Sequence, residues 1–425
     1  MQGGRCRKDS SLAKLMPEMS GAGDTHATSC TFMLAAPQRP VIAHGSRRSL
    51  PPGPAETLAD RVRGFFADHD DAALLVGALP FDRAADDFLF EPQSVTDLPL
   101  TPPATGPRPD RQWQVTPQPS RADYEQAVAR ALDLIAAEQG GADPLEKIVL
   151  SRSVLLEAEP PIDLLALSSR LLGDPAAVRF LTPLGQGANG VSRHLIGATP
   201  ELLIAKTGDA VVSHPLAGSA RRSEDGAADR AAAEWLMGSE KDLREHRWVV
   251  DAILDGLAPY CRELAAPDVP ALVSTQTMWH LGTRIEGRLK SPGDVSAAEL
   301  AAALHPTPAV GGTPRARALD LIPQLEGYDR GFYAGAVGWT DRAGDGEWYV
   351  SLRCAEVSGR QVRIYAGAGI VAGSVPAEEA EETSGKLQAM LRALGVDEQG
   401  HSSSGGTCAA KDSGTLPNGS PRAGN

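Results

Sequence analysis

Two stretches of this chain place acids three residues apart. In SEKDLREH they are Asp242 and Glu245; in AEEAEETSGK they are Glu379 and Glu382, with Lys386 four residues further on. On a helix, residues three or four apart share a face, so each stretch can present two carboxylates side by side. Turned toward one point, the two faces would form an all-oxygen site of the kind that suits Mg²⁺. The same spacings also have plain structural readings: Ser239 with Asp242 fits an N-terminal cap, and Glu382 with Lys386 fits an ion pair on a solvated helix end. Lys147 opens the apolar run KIVLSR, and Glu201 sits in GATPELLI. At strand ends these are ordinary surface charges. Burial, however, lowers the pKa of an amine and raises that of a carboxyl, which makes a general base and a general acid usable near neutrality. Arg353, in SLRCAE, is costly in an apolar strand unless it is paired or holds an anion. AGAGI, residues 366–370, reads as a glycine-rich turn whose N–H groups could receive an anion, without P-loop or dinucleotide-binding spacing.

The elements that must position these residues are legible as patterns. Apolar residues recurring at three and four predict a helix over 121–138. A strand is expected over Lys147 to Leu156, and others at FMLAAP, ALLVGALPF, AVRFLT, HLIGATPELLIAKTG, AVVSHPLAG, ALVSTQTMWHLGTRIEGRL, YAGAVGWTD, EWYVSLRCAEV and QVRIYAGAGIV. Helical stretches are expected near ETLADRVRGFFADH, over roughly 226–258 and from about 376 to 394. Consecutive strands with irregularly placed helices indicate an α+β fold and not a doubly wound parallel sheet. Residues 1–28 and 397–425 are polar or Ser/Gly-rich and expected to be disordered. A single domain is expected over 29–396, with a Pro-rich stretch near 98–114.

Composition narrows the partners. The 425 residues carry a formal net charge of −13, which argues against nucleic acid as the main partner. No stretch approaches the roughly 20 apolar residues of a membrane span, and no signal peptide is apparent. The five cysteines, Cys6, Cys30, Cys261, Cys354 and Cys408, show no metal-binding spacing and read as free thiols in a reducing, cytoplasmic setting.

Taken in order, KIVLSR, GATPELL, PLAGSARR, SEKDLREH, HLGT, HPTPAVGG, RGFYAGAVGW, GDGEW, LRC, AGAGIV and EET…K resemble the chorismate-utilising enzymes over roughly residues 120–395. The segment before about 115 resembles the family's variable N-terminal half. Within the family the pattern is most similar to the isochorismate synthases. The resemblance implies one large α+β domain, two packed β-sheets flanked by helices in four layers, α/β/β/α, with the active site between the sheet systems. It implies Lys147 as the base that activates water and Glu201 as the acid that protonates the departing hydroxyl. Glu245 and Glu382 would bind Mg²⁺, supported by Asp242 and Glu379, and the metal would hold the ring carboxylate of chorismate. Arg353, Tyr333 and the backbone at Gly367 and Gly369 would hold the enolpyruvyl carboxylate. Ser219, His280, Thr283 and Lys386 match positions lining the same pocket. Tyr333 and Tyr365 vary between Phe and Tyr in relatives.

The implied reaction is attack of water on C2 of chorismate, a shift of the ring double bonds and loss of the C4 hydroxyl. The product would feed a siderophore or menaquinone. Anthranilate and aminodeoxychorismate synthases use ammonia and a glutaminase partner; Lys147 argues against them, and neither that partner nor a further subunit is expected. The alternative is salicylate synthase, which shares Lys147 and goes on to eliminate pyruvate. It typically carries Thr where HPTPAVGG has Ala309. A methyl group there can neither donate nor accept a hydrogen bond.

Overall fold

A computed structural model describes residues 30–96, 111–171, 174, 176–187 and 189–401. The expected leader, most of the Pro-rich stretch and residues 402–425 lie outside the described residues. The first residues of the expected C-terminal tail are described. Asp397 accepts backbone N–H bonds from Gln399 and His401 at 2.9 and 2.8 Å, and Glu398 lies 3.4 Å from Arg152.

The architecture is α+β, and every strand pairing is antiparallel. A ten-stranded sheet has Lys147–Glu157, Gln361–Val371, Cys354–Ser358, Ser192–Thr199, Val178–Gln186 and Cys30–Leu34 as successive neighbours. A nine-stranded sheet centres on Ala210–His214, Leu202–Thr207, Gly346–Val350, Ala336–Asp341 and Leu74–Leu79. A third sheet is made of Leu216–Arg221, Met278–Gly282 and Ala271–Ser274.

Side chains alternate across a strand, and the ten-stranded sheet is buried on both faces. Phe32, Leu34, Phe180 and Leu195 join the core cluster between the large sheets. Met33, Leu181 and Ile196 join the opposite cluster, with Leu167 and Leu387 from helices Leu164–Arg170 and Pro376–Leu394. The nine-stranded sheet is covered by helices Ala297–Leu304 and Glu240–Leu257, with Leu58–Asp68 against the former. This is the expected four-layer order. Cys30, Cys261 and Cys354 are free thiols; Cys6 and Cys408 lie outside the described residues.

The expected long strands differ from the observed ones in one consistent way. HLIGATPELLIAKTG is not one strand: it leaves the ten-stranded sheet at Thr199 and enters the nine-stranded sheet at Leu202. EWYVSLRCAEV breaks at Ser351–Arg353 and crosses in the opposite direction. AVVSHPLAG breaks at Pro215 and passes into the three-stranded sheet. Proline cannot donate to a ladder, which favours a break at Pro200 and Pro215. The first two crossings are tied together. Val350 N–H donates to Glu201 O at 3.1 Å, Ala198 N–H donates to Arg353 O at 3.2 Å, and the Thr199 hydroxyl donates to Val350 O at 2.6 Å. Glu201 and Arg353 therefore enter the same space between the sheets.

AGAGI is a second correction. Residues 366–370 are not a turn but the middle of the strand Gln361–Val371, paired with Lys147–Glu157 along its whole length. Pairing with Cys354–Ser358 stops at Ile364. Gly367 O accepts from Lys386 Nζ at 2.9 Å, so Gly367 faces away from the paired neighbour. Because N–H and C=O of one strand residue point the same way, the Gly367 and Gly369 amides lie along an edge that no strand covers among the described residues.

Candidate active site

Those two crossings, the glycine edge and two helices meet at one cleft of about 770 Å³, measured out to its open mouth. Helix Glu240–Leu257 contributes Asp242 and Glu245, and helix Pro376–Leu394 contributes Glu379, Glu382 and Lys386. Each helix points its acids inward, as the spacing allowed. The structural readings hold as well. The Ser239 hydroxyl caps its helix by accepting from Asp242 N at 3.3 Å and bonds the Asp242 carboxylate. Glu382 pairs with Lys386 at 2.5 Å. The caps and pairs stand in the cleft wall and not in bulk solvent.

Three of the four carboxylates have a lysine of their own. Glu245 Oε1 is 2.9 Å from Lys147 Nζ, Glu379 Oε1 is 2.9 Å from Lys241 Nζ, and Glu382 has Lys386. Burial raises the Glu379 carboxyl, and the neighbouring Glu382 charge raises it further. Burial also works against Glu382, but Lys386 and the Ser219 hydroxyl, 3.0 Å away, hold its pKa below the ordinary value. Among the described residues no three His, Cys, Asp or Glu side chains are gathered as a ready ligand set. The acids share a cleft; three are neutralised separately, and Asp242 is hydrogen-bonded by the Ser239 hydroxyl.

Lys147 is fully buried. Its contact with Glu245 is an ion pair without the alignment of a hydrogen bond, so the ammonium donors stay unused. The approach of these two groups explains Gly369. A Cβ there would stand 2.3 Å from Glu245 Oε1 and 3.1 Å from Lys147 Cε, so only glycine lets the pair pass the strand. Glu201 is 3 % exposed. Burial pushes its carboxyl up to about 8, against the opposing pull of Lys147 and Arg353. It is thus a protonated acid at neutral pH.

Arg353 adopts φ 47° and Ala334 φ 57°, a left-handed conformation that costs a residue with a Cβ on the order of 1–3 kcal/mol. Both line the cleft, and the strain turns the arginine out of the strand into the space between sheets. Its Nη2 is 3.5 Å from His280 Nε2. Burial drives the His280 pKa far down, with Arg353 adding to the effect, so the ring is neutral and can accept at that nitrogen.

Ser219, Ala309, Tyr333, Gly367 and Gly369 also line the cleft. Lys147, Tyr365 and Thr283 are not in its wall. Lys147 lies behind Glu245 and Gly369. Tyr365 stacks on Tyr333 with ring centroids 4.8 Å apart and supports it from behind. Thr283 faces elsewhere: its hydroxyl is 2.7 Å from His246 Nε2, and both line a separate surface groove along Glu240–Leu257. Sequence reasoning did not single out Lys241, Arg330 or Gly218 in the wall. Lys241 stands beside Asp242 in SEKDLREH, and Arg330 opens RGFYAGAVGW, but nothing in their spacing marked them.

A family model described as "Chorismate binding enzyme" matches residues 86–395. The chain belongs to the chorismate-binding enzymes. It is 42% identical over 379 residues to the isochorismate synthase DhbC of Bacillus subtilis, covering 86% of this chain and 94% of that protein. Among solved structures it resembles the 2,3-dihydroxybenzoate-specific isochorismate synthase DhbC of Bacillus anthracis. The TM-score is 0.81 at 39% identity, covering 87% of this chain and 98% of the other. Anthranilate synthase component I of Streptococcus pneumoniae shares the fold, with a TM-score of 0.65 at 19% identity over 91% of this chain and all of that one.

The packing of Gly369 yields a direct test. Gly369→Ala should leave the fold intact by circular dichroism. It should lower kcat/KM for chorismate by about a hundredfold, because a misplacement near 1 Å at reacting groups costs that much. Undiminished turnover would show that the Lys147–Glu245 approach is not required.

Proposed function

We propose that this chain is an isochorismate synthase, a hydroxymutase that converts chorismate to isochorismate with Mg²⁺. The observation that carries the reading is the placing, at one cleft, of a protonated Glu201 in the wall and a fully buried Lys147 just behind it, paired with the single carboxylate of Glu245. The names of the relatives at 39–42% identity agree with it. The donor set fits the metal. Its four acids supply only hard oxygens from two facing helices, and Mg²⁺ needs just one or two carboxylates beside water and substrate. Glu245 and Glu382 would hold the ion, with Asp242 and Glu379 beside them. Bound there, the ion neutralises the ring carboxylate of the substrate.

The remaining chemistry belongs to the protein. Once Nζ has released its ammonium proton to solvent, Lys147 is a free amine and takes a proton from a water molecule as the C2–O bond forms. The ring double bonds shift, the C4–O bond breaks, and Glu201 gives its proton to the departing hydroxyl, which leaves as water. Arg353 and the Gly367 and Gly369 amides hold the enolpyruvyl carboxylate, donors fixed before the substrate arrives. Tyr333 closes the wall beside them. Water as the nucleophile requires no glutaminase, and we place the enzyme as a cytoplasmic monomer. No helix of the described residues is long and apolar enough to cross a membrane. The product serves a siderophore or menaquinone branch.

The test is product analysis. Chorismate should disappear in a reaction abolished by chelation of Mg²⁺, giving one product and no pyruvate; pyruvate in proportion to turnover would make the chain a salicylate synthase. Ala309 lines the cleft, so Ala309→Thr should begin to release pyruvate. No release would leave Ala309 without a part in choosing the product.

The acid role also sets a pH limit. Glu201 is protonated below its raised pKa and loses the proton as pH rises through about 8. kcat/KM should therefore fall above about pH 8, approaching tenfold per unit. A profile still flat at pH 10 would remove Glu201 from the role.

A further inference from the structure

Behind the Ala309 wall lies a buried ion pair that the proposed reaction does not use. Arg330 and Glu326 have side chains 2 % and 1 % exposed. Arg330 Nε donates to Glu326 Oε2 at 2.9 Å and Nη2 to Oε1 at 2.5 Å. Two further donors of the guanidinium go to backbone on two different segments. Nη1 reaches Val310 O at 2.8 Å, and Nη2 reaches Val149 O at 2.7 Å. Val310 follows Ala309, and Val149 lies two residues beyond Lys147. Glu326 Oε1 in turn accepts from Ser151 N and Oγ at 2.5 and 2.8 Å. The carboxylate thus takes a ladder position on the Lys147–Glu157 strand just past the point where Gly312–Thr313 stops pairing with it.

A lone buried ion pair is a weak stabiliser, because desolvation offsets the attraction. What this one has beyond charge is geometry. A planar guanidinium fixes several acceptors at once in a way an ammonium does not. Val149 N–H donates to Gly311 O at 2.8 Å, so on one strand edge the loop holds that residue's N–H and the clamp holds its C=O. Arg330 itself reaches the cleft wall.

We infer that Arg330, braced by Glu326, is a positioning residue that sets the separation between the Ala309 loop and the Lys147 strand. This rests on the chorismate reading of the cleft for its kinetic consequence, though not for its structural one. With the clamp intact, the loop cannot yield to a larger residue at 309. With Lys at 330, the charge stays but the fork to Val310 and Val149 is lost, and the loop can retreat.

The experiment is a double-mutant cycle on the chorismate KM with Ala309→Val and Arg330→Lys. Ala309→Val should raise KM in the wild-type background, and by at least about threefold less in the Arg330→Lys background, a coupling of the size contacting residues show. Additive effects would overturn the inference, since a purely structural ion pair would lower stability without relieving the clash. The Glu326→Met/Arg330→Met double variant, which removes both charges without leaving either unpaired, should show the same relief and guards against misfolding of the single variant. Hydrogen exchange separates this claim from the assignment of substrate. Exchange of the Val310, Gly311 and Val149 amides should quicken in Arg330→Lys, while the Ala336–Asp341 strand stays protected. That result with no chorismate turnover in any variant would sink the function alone; unchanged exchange would sink the clamp.

Discussion

The arrangement of this protein follows from one constraint: charges placed where water is scarce must be neutralised by the chain itself. Lys147, Glu201, Asp242, Glu245 and Glu379 are each less than a tenth exposed. Lys147, Lys241 and Lys386 each take one carboxylate, Glu201 meets the requirement by keeping its proton, and Asp242, hydrogen-bonded by Ser239, is pushed toward its neutral form by burial. A cleft already balanced in this way can accept a dianionic substrate and a divalent cation together, because the two bring opposite charge.

Balance requires that groups from distant parts of the chain meet, and the crossings between sheets achieve it. Glu201 and Arg353 stand where strands leave one large sheet for the other, and the Thr199, Glu201 and Val350 bonds tie the crossings together. A side chain in the middle of either sheet would point into the core or against a helix. At a crossing it points between the sheets. The left-handed Arg353 backbone is the strain of that position, sustained by the bonds around it.

Much of this was legible in the sequence, for reasons that also explain what was not. The helices 121–138 and 376–394 have the observed bounds because their apolar faces repeat at helical spacing against a polar side. Helix Ala297–Leu304 gave no such signal, since AAELAAAL is buried almost all round and has little polar face to contrast. Strand alternation marks residues as extended but does not tell which sheet they pair in, so crossings at Pro200 and Ser351–Arg353 read as continuous strands. Glycines at 367 and 369 suggested a turn; Gly369 instead permits the close approach of Glu245, from a helix over a hundred residues away, and of Lys147, while a Cβ at Gly367 would meet Leu150 O and the Tyr333 hydroxyl at 3.2 Å. The carboxylate pairs were visible because local spacing fixed their face. Arg330 was not, because its partners come from three separate segments.

The central claim is that Lys147 and Glu201 divide one reaction between them, attack of water at C2 and departure of the C4 hydroxyl. Its most direct test is turnover of chorismate in ¹⁸O-enriched water, stopped early and read by mass spectrometry. The expected result is one solvent oxygen in each isochorismate, located at the C2 hydroxyl. Isochorismate formed without solvent oxygen would mean that the original hydroxyl had migrated, and would contradict the roles given to both residues.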